Sequence, residues 1–383
     1  MVDKRPLSSI HVLGAGPTGS LAALLLSQQH QRVVLHDPQD HSALVSRSRA
    51  YAITHSSRRI LLRAGLWAQL ADALIPFNSL DLRDQATHQR VVFDLNDLAQ
   101  ANRDFKAIGW ILDHRALMTV LLDRLRSDST VELHLGTPAP PTEVNSLIVA
   151  ADGPNSSIRN SWGIGRWQIN YRQGCLSAKV RLRGIQAQQA FELFRREGPL
   201  AILPLGGNNV QVVWSAPLHQ CRQRSELSSG VFLDQLAAVL PAGLEPDQLL
   251  DQPRAFPQQW MLARRLSSGR GVLLGEAGHR CHPVGGQGLN LCWRDVETLQ
   301  QAVQAGGTPA AIAKRYGRRR WLDLLLVGVS TDALVRLFSN RTVVLLPLRN
   351  AILHLLLLSS ALRKLSLKAM SDGPMQLFRR LSE

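Results

Sequence analysis

Cysteine, tyrosine and lysine are all scarce in this chain of 383 residues. The four cysteines, Cys175, Cys221, Cys281 and Cys292, are scattered and form no C-x-x-C pair. That spacing excludes a disulfide framework and a zinc finger, and it fits a reducing, cytoplasmic setting. No apolar run reaches the roughly twenty continuous residues a membrane-spanning helix needs. The stretch Met1 to Ile10 lacks the apolar core of a signal peptide, so the expectation is that nothing precedes the fold. Only six of the 44 cationic residues are lysines, and the net charge of +15 is therefore carried by arginine. Such a balance favours anionic partners, namely phosphates, acidic lipids or nucleic acid. Neither an RNP-type aromatic segment nor a basic low-complexity tail is present, and no nucleic-acid partner is expected. With 45% apolar and 19% charged residues, the chain is not disordered, and it is long enough for two or three packed layers.

What is present begins at the amino end. Ile10-His11-Val12-Leu13 is a short strand that runs into Gly14-Ala15-Gly16-Pro17-Thr18-Gly19, and Ser20 to Gln29 reads as a helix. A second strand, Gln31 to His36, ends at Asp37, about twenty residues past the glycine turn, where a carboxylate can bind a ribose hydroxyl. Gly14 permits the tight turn, Gly16 lets the backbone approach a pyrophosphate, and Gly19 allows close helix-strand packing. The unit is a dinucleotide-binding βαβ.

Arg47 and Arg49 sit in the arm Ser46 to Ile53, before a helix predicted over Ser57 to Leu70. Ser79–Arg83 and Arg90–Asp94 predict a hairpin, and Gly109 to Arg115 leads into a helix through Leu125. Pro138-Ala139-Pro140-Pro141 breaks the chain ahead of the apolar strand Ser146 to Ala151, which ends in Asp152-Gly153. Strand-like segments between Tyr171 and Trp214 predict a mostly antiparallel sheet in a second domain. Gly271 to Glu276 is another buried strand ending in an acid, followed by a glycine loop and a long helix near Gly288. The Glu276 carboxylate can reach a polyol, while a loop that opens a helix offers N–H groups to the electron-rich edge of a flavin. His279, Cys281 and His282 lack the spacing of a metal site, and none is expected. No serine sits in a G-x-S-x-G elbow.

Four segments stand in a fixed order: the G-A-G-P-T-G turn, the Arg-Ala-Tyr-Ala-Ile arm, Asp152 to Arg159, and the H-P-x-x-G-Q-G-x-N loop within Gly275 to Asn290. Over nearly the whole chain they resemble the class A flavoprotein aromatic hydroxylases. The ubiquinone-biosynthesis hydroxylases, the family of 2-octaprenyl-6-methoxyphenol hydroxylase, are the nearest likeness, through Gly198 to Leu205 and Asp332 to Phe338. The resemblance implies an α/β fold: an FAD-binding Rossmann-like domain of the glutathione-reductase type, as in p-hydroxybenzoate hydroxylase, a mostly antiparallel substrate-domain sheet, and a C-terminal helical region. Residues 1–75, 102–166 and 255–330 are expected to form a discontinuous FAD-binding domain, 76–101 and 167–254 the substrate domain, and 331–383 the helical region.

By the same resemblance, Gly14, Gly16 and Gly19 bind the FAD diphosphate, and Asp37, where the family usually has Glu, holds the adenosine ribose. Arg49 and Arg115 match arginines lining the FAD site, Asp152 and Gly153 match a segment associated with FAD and NAD(P)H, and Glu276 grips the ribityl chain. Gln287, Gly288, Leu289 and Asn290 complete the cofactor loop, and Pro283, Gly285 and Gly286 face the isoalloxazine and carry catalysis through backbone groups. The family usually has Asp at the place of Glu276, which adds one methylene at the cofactor. Arg47 stands where an acid is common, and the stretch from Val131 to Val149 is compressed.

The implied reaction uses FAD, with NADPH or NADH as electron donor and O2 as co-substrate. Oxygen added at the flavin C4a position as a hydroperoxide passes to a polyprenylated phenol or quinol ring in isoprenoid-quinone biosynthesis. Tyr51, Tyr171 and Tyr316 are the only tyrosines, and none is assignable to phenol ionisation. The apolar segment Thr342 to Met370, flanked by Arg349, Arg363, Lys364 and Lys368, is either a core-packing or an interfacial helix. The second reading places the enzyme in the cytoplasm, peripherally on the inner face of a membrane, with a quinone-biosynthesis complex as a further candidate partner. Two alternatives stay open: a non-catalytic flavoprotein or scaffold subunit, and a related flavin-dependent reductase. A halogenase is disfavoured because no W-x-W-x-I-P segment occurs.

Overall fold

The computed structural model describes residues 7–137, 142–143, 145–339 and 342–373; the Pro138–Pro141 break lies outside them. The first strand, Ile10–Leu13, lies at the heart of a six-stranded sheet. It pairs in parallel with Val33–Asp37 on one side and Leu147–Ala150 on the other. Val131–Leu135 and Gly271–Leu273 continue the sheet on the two sides in parallel, and Ser267–Ser268 forms the far edge antiparallel to the latter. Strands covered on both faces read as apolar runs, and Val33–Asp37 is buried throughout.

Helix Pro17–Ser27 begins with proline in its first turn, where no amide donor is lost. It packs with helices His114–Arg126 and Gln287–Gln304 over this sheet, where Leu24, Leu121 and Trp293 are fully buried. Each such side chain contributes about 1.5–3 kcal/mol of transfer free energy. The predicted helix Ser57 to Leu70 is shorter than expected and starts earlier, at His55–Arg63. Gly65, with φ of 72°, ends it, since a left-handed residue cannot propagate a right-handed helix.

The second sheet has nine strands built around Arg166–Arg183, which is 18 residues long. Asn209–Pro217 and Arg254–Ala263 flank this strand, both antiparallel. The expected hairpin is present as Ser79–Asp84 and Arg90–Phe93. Its first strand joins Gln189–Phe194 in parallel, an exception in a sheet otherwise antiparallel. Helices Leu218–Ser225 and Ser229–Ala237 cover one face over a core of Leu176, Trp214 and Phe232.

Two expected boundaries need correction. Arg254–Ala263 pairs with residues 166–177, so the chain is still in the large sheet past position 255 and rejoins the first sheet only at Ser267. Helix Pro309–Phe338 crosses the boundary at 330 without a break. A small sheet of Ala50–Ile53, Gly109–Asp113 and Leu74–Phe77 bridges the two layers. The apolar segment near the carboxyl end folds as two helices, Leu346–Leu358 and Ser360–Asp372. Leu353 and Leu367 are buried against Phe93 and Phe338, whereas Leu355, Leu357, Leu358, Leu362 and Leu365 are exposed. Arg349, which flanks the apolar segment, is 1% exposed and lies 4.0 Å from Asp84.

Candidate active site

The glycine turn is dictated by contact. A side chain on Gly14 would lie 2.3 Å from the Ala151 carbonyl oxygen, and its φ of 111° is closed to other residues. Gly19 is equally confined, against the Gly14 carbonyl. Gly16, by contrast, has nothing within 4 Å of where a side chain would project, at a helix start with no side-chain cap. Open space beside unpartnered amide groups fits an anionic diphosphate. Asp37 closes the turn by accepting from the Ala15 amide at 2.7 Å and the Gln39 amide at 2.8 Å, and each carboxylate oxygen retains a lone pair for a ribose.

Beyond this turn lies a cavity of about 780 Å³. Arg49 to Thr54 form one wall, and Glu276, Pro283, Gly285, Gly286, Gln287, Gly288 and Leu289 form another. Its floor is the large sheet, through Ser177, Ala190, Ala201, Leu203 and Val213. Leu367, Lys368 and Met370 of the last helix bound it further out. Gly275 stands between turn and cavity, since a Cβ there would meet the Thr18 side chain at 3.0 Å. The site therefore runs from the βαβ turn, past Glu276, to an apolar floor.

Arg49 lines the cavity and is exposed there. Burial works against its charge, but the Glu276 carboxylate favours the charged form and its pKa is raised. Its guanidinium lies 5.2 Å from the centre of the Tyr51 ring. Burial lowers the His114 pKa, and its Nε2 lies 2.8 Å from the Leu44 carbonyl, so Nε2 carries the proton of the neutral ring. Tyr51 therefore donates to Nδ1, at 2.8 Å. The other two tyrosine hydroxyls are also engaged, Tyr171 donating to Asp332 and Tyr316 to the Leu273 carbonyl, both at 2.8 Å. Burial pushes the Cys175 and Cys281 thiols up to about 12, which leaves them un-ionised at neutral pH.

The structure gathers Arg49, Glu276, Pro283, Gly285, Gly286, Gln287, Gly288 and Leu289 around one space. Asn290 departs from expectation. Its side-chain amide donates to the Ala52 and Gly286 carbonyls at 2.7 and 2.9 Å, and its oxygen accepts from Thr54 and Ser57. Both donors are spent on protein, so this side chain ties the loop to the arm. Asp152 caps the turn into helix Ser157–Ser161 through one oxygen, and its other oxygen is buried without a partner. Gly153 follows with φ of 83°. Arg115 is exposed in the first turn of helix His114–Arg126 and does not line the cavity. Among the described residues no cluster of three metal-ligating side chains occurs.

Two features escape the sequence pattern. Asp295, fully buried, accepts from the Gly275 amide at 2.9 Å, from His279 at 2.6 Å and from Arg320 at 2.7 Å. It pins the start of the cofactor loop. Burial alone would raise its pKa, but His279 and Arg320 outweigh burial and keep it ionised. The signal was an acid inside the apolar run Leu291 to Val296. The other feature is Glu192 on strand Gln189–Phe194, among the described residues the one carboxylate of the large sheet that lines the cavity, held in Phe-Glu-Leu-Phe, where nothing local marks it.

Diphosphate-sized space beside a βαβ turn, a polyol-reaching carboxylate and an apolar chamber define an enzyme that uses a nucleotide cofactor against a hydrophobic substrate. Residues 141–320 match the family model of an FAD binding domain. The chain is 29% identical to the ubiquinone hydroxylase UbiL of Rhodospirillum rubrum, covering 87% of this chain and 82% of that protein. It is 27% identical to the 3-demethoxyubiquinol 3-hydroxylase of Escherichia coli, covering 90% and 93%. The fold is similar to that of p-nitrophenol 4-monooxygenase PnpA of Pseudomonas putida, with a TM-score of 0.77 at 18% identity over 96% and 98% of the two chains. The chain is an FAD-dependent enzyme similar over most of its length to hydroxylases and monooxygenases. FAD is its cofactor, with NAD(P)H as electron donor and O2 as co-substrate.

Proposed function

We propose that this enzyme hydroxylates a prenylated phenol or quinol ring in isoprenoid-quinone biosynthesis. The observation that carries the reading is the shared cavity: a cofactor wall of Arg49, Glu276 and the Pro283–Leu289 loop faces an apolar sheet floor large enough for a substituted ring. Likeness to the two quinone hydroxylases supports the substrate class. FAD, when bound, supplies electron transfer from NAD(P)H and the activation of O2.

Every other task falls to the chain. Gly14, Gly16 and Gly19 seat the diphosphate at the start of helix Pro17–Ser27, and Asp37 holds the adenosine ribose. Glu276 holds the ribityl hydroxyls, with Arg49 neutralising charge beside it, while Asp152 and Gly153 complete the cofactor surround. The Gln287 and Gly288 amides present the positive end of helix Gln287–Gln304 to the electron-rich edge of the ring system. Pro283, Gly285 and Gly286 shape the reacting face. Phe77, Leu80, Ala190, Leu203 and Val213 exclude water from it.

Among the described residues, no helix is long and apolar enough to cross a membrane. The last helix nevertheless turns Leu362 and Leu365 outward while Leu367, Lys368 and Met370 line the cavity. One element thus supports both contact with an anionic bilayer surface and passage of a prenylated ring into the chamber.

The testing experiment is the visible spectrum of the purified protein with and without FAD. Anaerobic reduction by NAD(P)H and readmission of O2 then follow, with a short-tailed methoxyphenol present. Bound flavin that reduces and yields a ring carrying one added oxygen is the expected result. Failure to bind FAD at any concentration overturns the reading and leaves a scaffold role.

A further inference from the structure

Ser177, Val213, Ala201 and Glu192 lie side by side in register across four strands and all line the cavity. Three of these are small or apolar, and among the described residues Glu192 is the only carboxylate of the large sheet that lines the cavity. The backbone amide of Gly285, in the loop that forms the opposite wall, lies near enough to favour the ionised form of this carboxylate. Glu192 therefore stands where the apolar floor meets the cofactor loop. Arg254 closes the same rung at its far end, opposite Ser177. At a strand spacing of about 4.8 Å that is roughly 19 Å away, too far to pair with Glu192.

Among the described residues no side chain pairs with it. Leu82 and Ala201 are its neighbours on the adjoining strands, and Pro283, Val284 and Gly286 flank Gly285. Arg49, Glu276 and Lys368 line the same cavity, but none of them offsets its burial. A carboxylate so placed is neither half of an ion pair nor a helix cap. A tyrosine hydroxyl can also handle a phenolic proton, but all three in this chain are committed to protein acceptors.

We propose that Glu192 is the base that accepts the phenolic proton of the ring substrate. The inference rests on the reading above, that the substrate is a phenol or quinol. In this step the phenolic O–H bond breaks, its proton goes to a Glu192 carboxylate oxygen, and the bonding pair stays on the phenolic oxygen. That pair raises the electron density of the ring at the positions ortho and para to it, where electrophilic oxygen is taken. The electrons that reduce O2 come from NAD(P)H through FAD, and the proton held by Glu192 is returned as water forms. Burial raises the Glu192 pKa to about 7, which poises it for this exchange near neutral pH.

The test compares FAD-loaded wild type with Glu192→Gln, an isosteric change. A short-tailed 2-methoxyphenol and its methyl ether are the probes. At pH 8 the wild type binds the phenol about tenfold tighter than the ether, and the variant loses that preference. Wild-type kcat/KM for hydroxylation rises with pH through about 7 with unit slope. In the variant the rise is absent and the rate falls on the order of 10²-fold or more, while anaerobic flavin reduction by NAD(P)H is unchanged. The deficit shrinks for fluorinated, more acidic phenols, which a purely structural role does not predict. Should Glu192→Gln fail to fold, Glu192→Ala with added formate carries the same test, with rescue expected. A variant that keeps the pH rise and the phenol preference overturns the assignment and leaves the proposed function standing. A wild type that hydroxylates no phenol overturns both.

Discussion

Glu276 is longer by one methylene than the aspartate its position resembles, yet it lines the cavity opposite Arg49 and lies next to Gly275, which abuts the first helix. Glu276→Gln is expected to raise the Kd for FAD about tenfold, the loss of a charge-assisted hydrogen bond, whereas Glu276→Asp stays within a few-fold. Titration of flavin fluorescence with each variant measures both. At Asp295 the consequence is stability. Asp295→Asn removes one of the two carboxylates, with Asp323, that compensate buried Arg320, so unfolding free energy is expected to fall by about 1.5–3 kcal/mol in urea titrations. A loss below 1 kcal/mol would mean that the loop is anchored elsewhere. Neither effect is readable from one residue's neighbours in sequence, since Asp295 lies 20 positions from the Gly275 amide it receives.

Elements differ in how much of them the local pattern reveals. The first βαβ unit is legible because each of its three parts carries a signal: an apolar strand, glycines where a Cβ has no room, and an acid closing the second strand. The C-terminal region is not. Its leucines read alike, but Leu353 and Leu367 enter a core while Leu358, 70% exposed, and Leu365 face outward. A single apolar segment became two helices with opposite loyalties, because Phe93 and Phe338 cover only one face. Leu358→Ser with Leu365→Ser is expected to lower co-sedimentation with phosphatidylglycerol-containing vesicles several-fold. It should shift stability by no more than about 0.5 kcal/mol, as exposed substitutions do. Unchanged vesicle binding would remove this face from the membrane reading.

Across the whole molecule, two buried histidines set an acid limit. Burial lowers the pKa of both His55 and His282 to about 4, against an ordinary value of 6.5. Each binds its proton more readily unfolded than folded, so the stability they contribute is complete above about pH 6.5 and is lost as pH falls toward 4. The unfolding midpoint should therefore drop steeply between pH 6.5 and 4. His55→Gln, which keeps a donor for the Ala107 carbonyl, should flatten part of that drop. A variant with the wild-type slope would exclude His55 as a contributor. The net charge of +15 acts in a different window, since its attraction to anionic surfaces weakens as salt screens it.

By itself the sequence determined the nucleotide-binding half of the protein, because backbone geometry there is local: Gly14 and Asp37 act within one βαβ unit, and the glycine loop opens its own helix. It also determined the order of the motifs and hence the class of cofactor. Only the tertiary structure decided that Glu192 faces Gly285 and that Asn290 serves the protein. It also decided that strand Arg254–Ala263 belongs to the large sheet and that Arg349 is buried. Each of these depends on strand register or on packing between segments far apart in the chain. A side chain's neighbours across a sheet are set by that pairing, and the residues on either side of it in sequence do not reveal them.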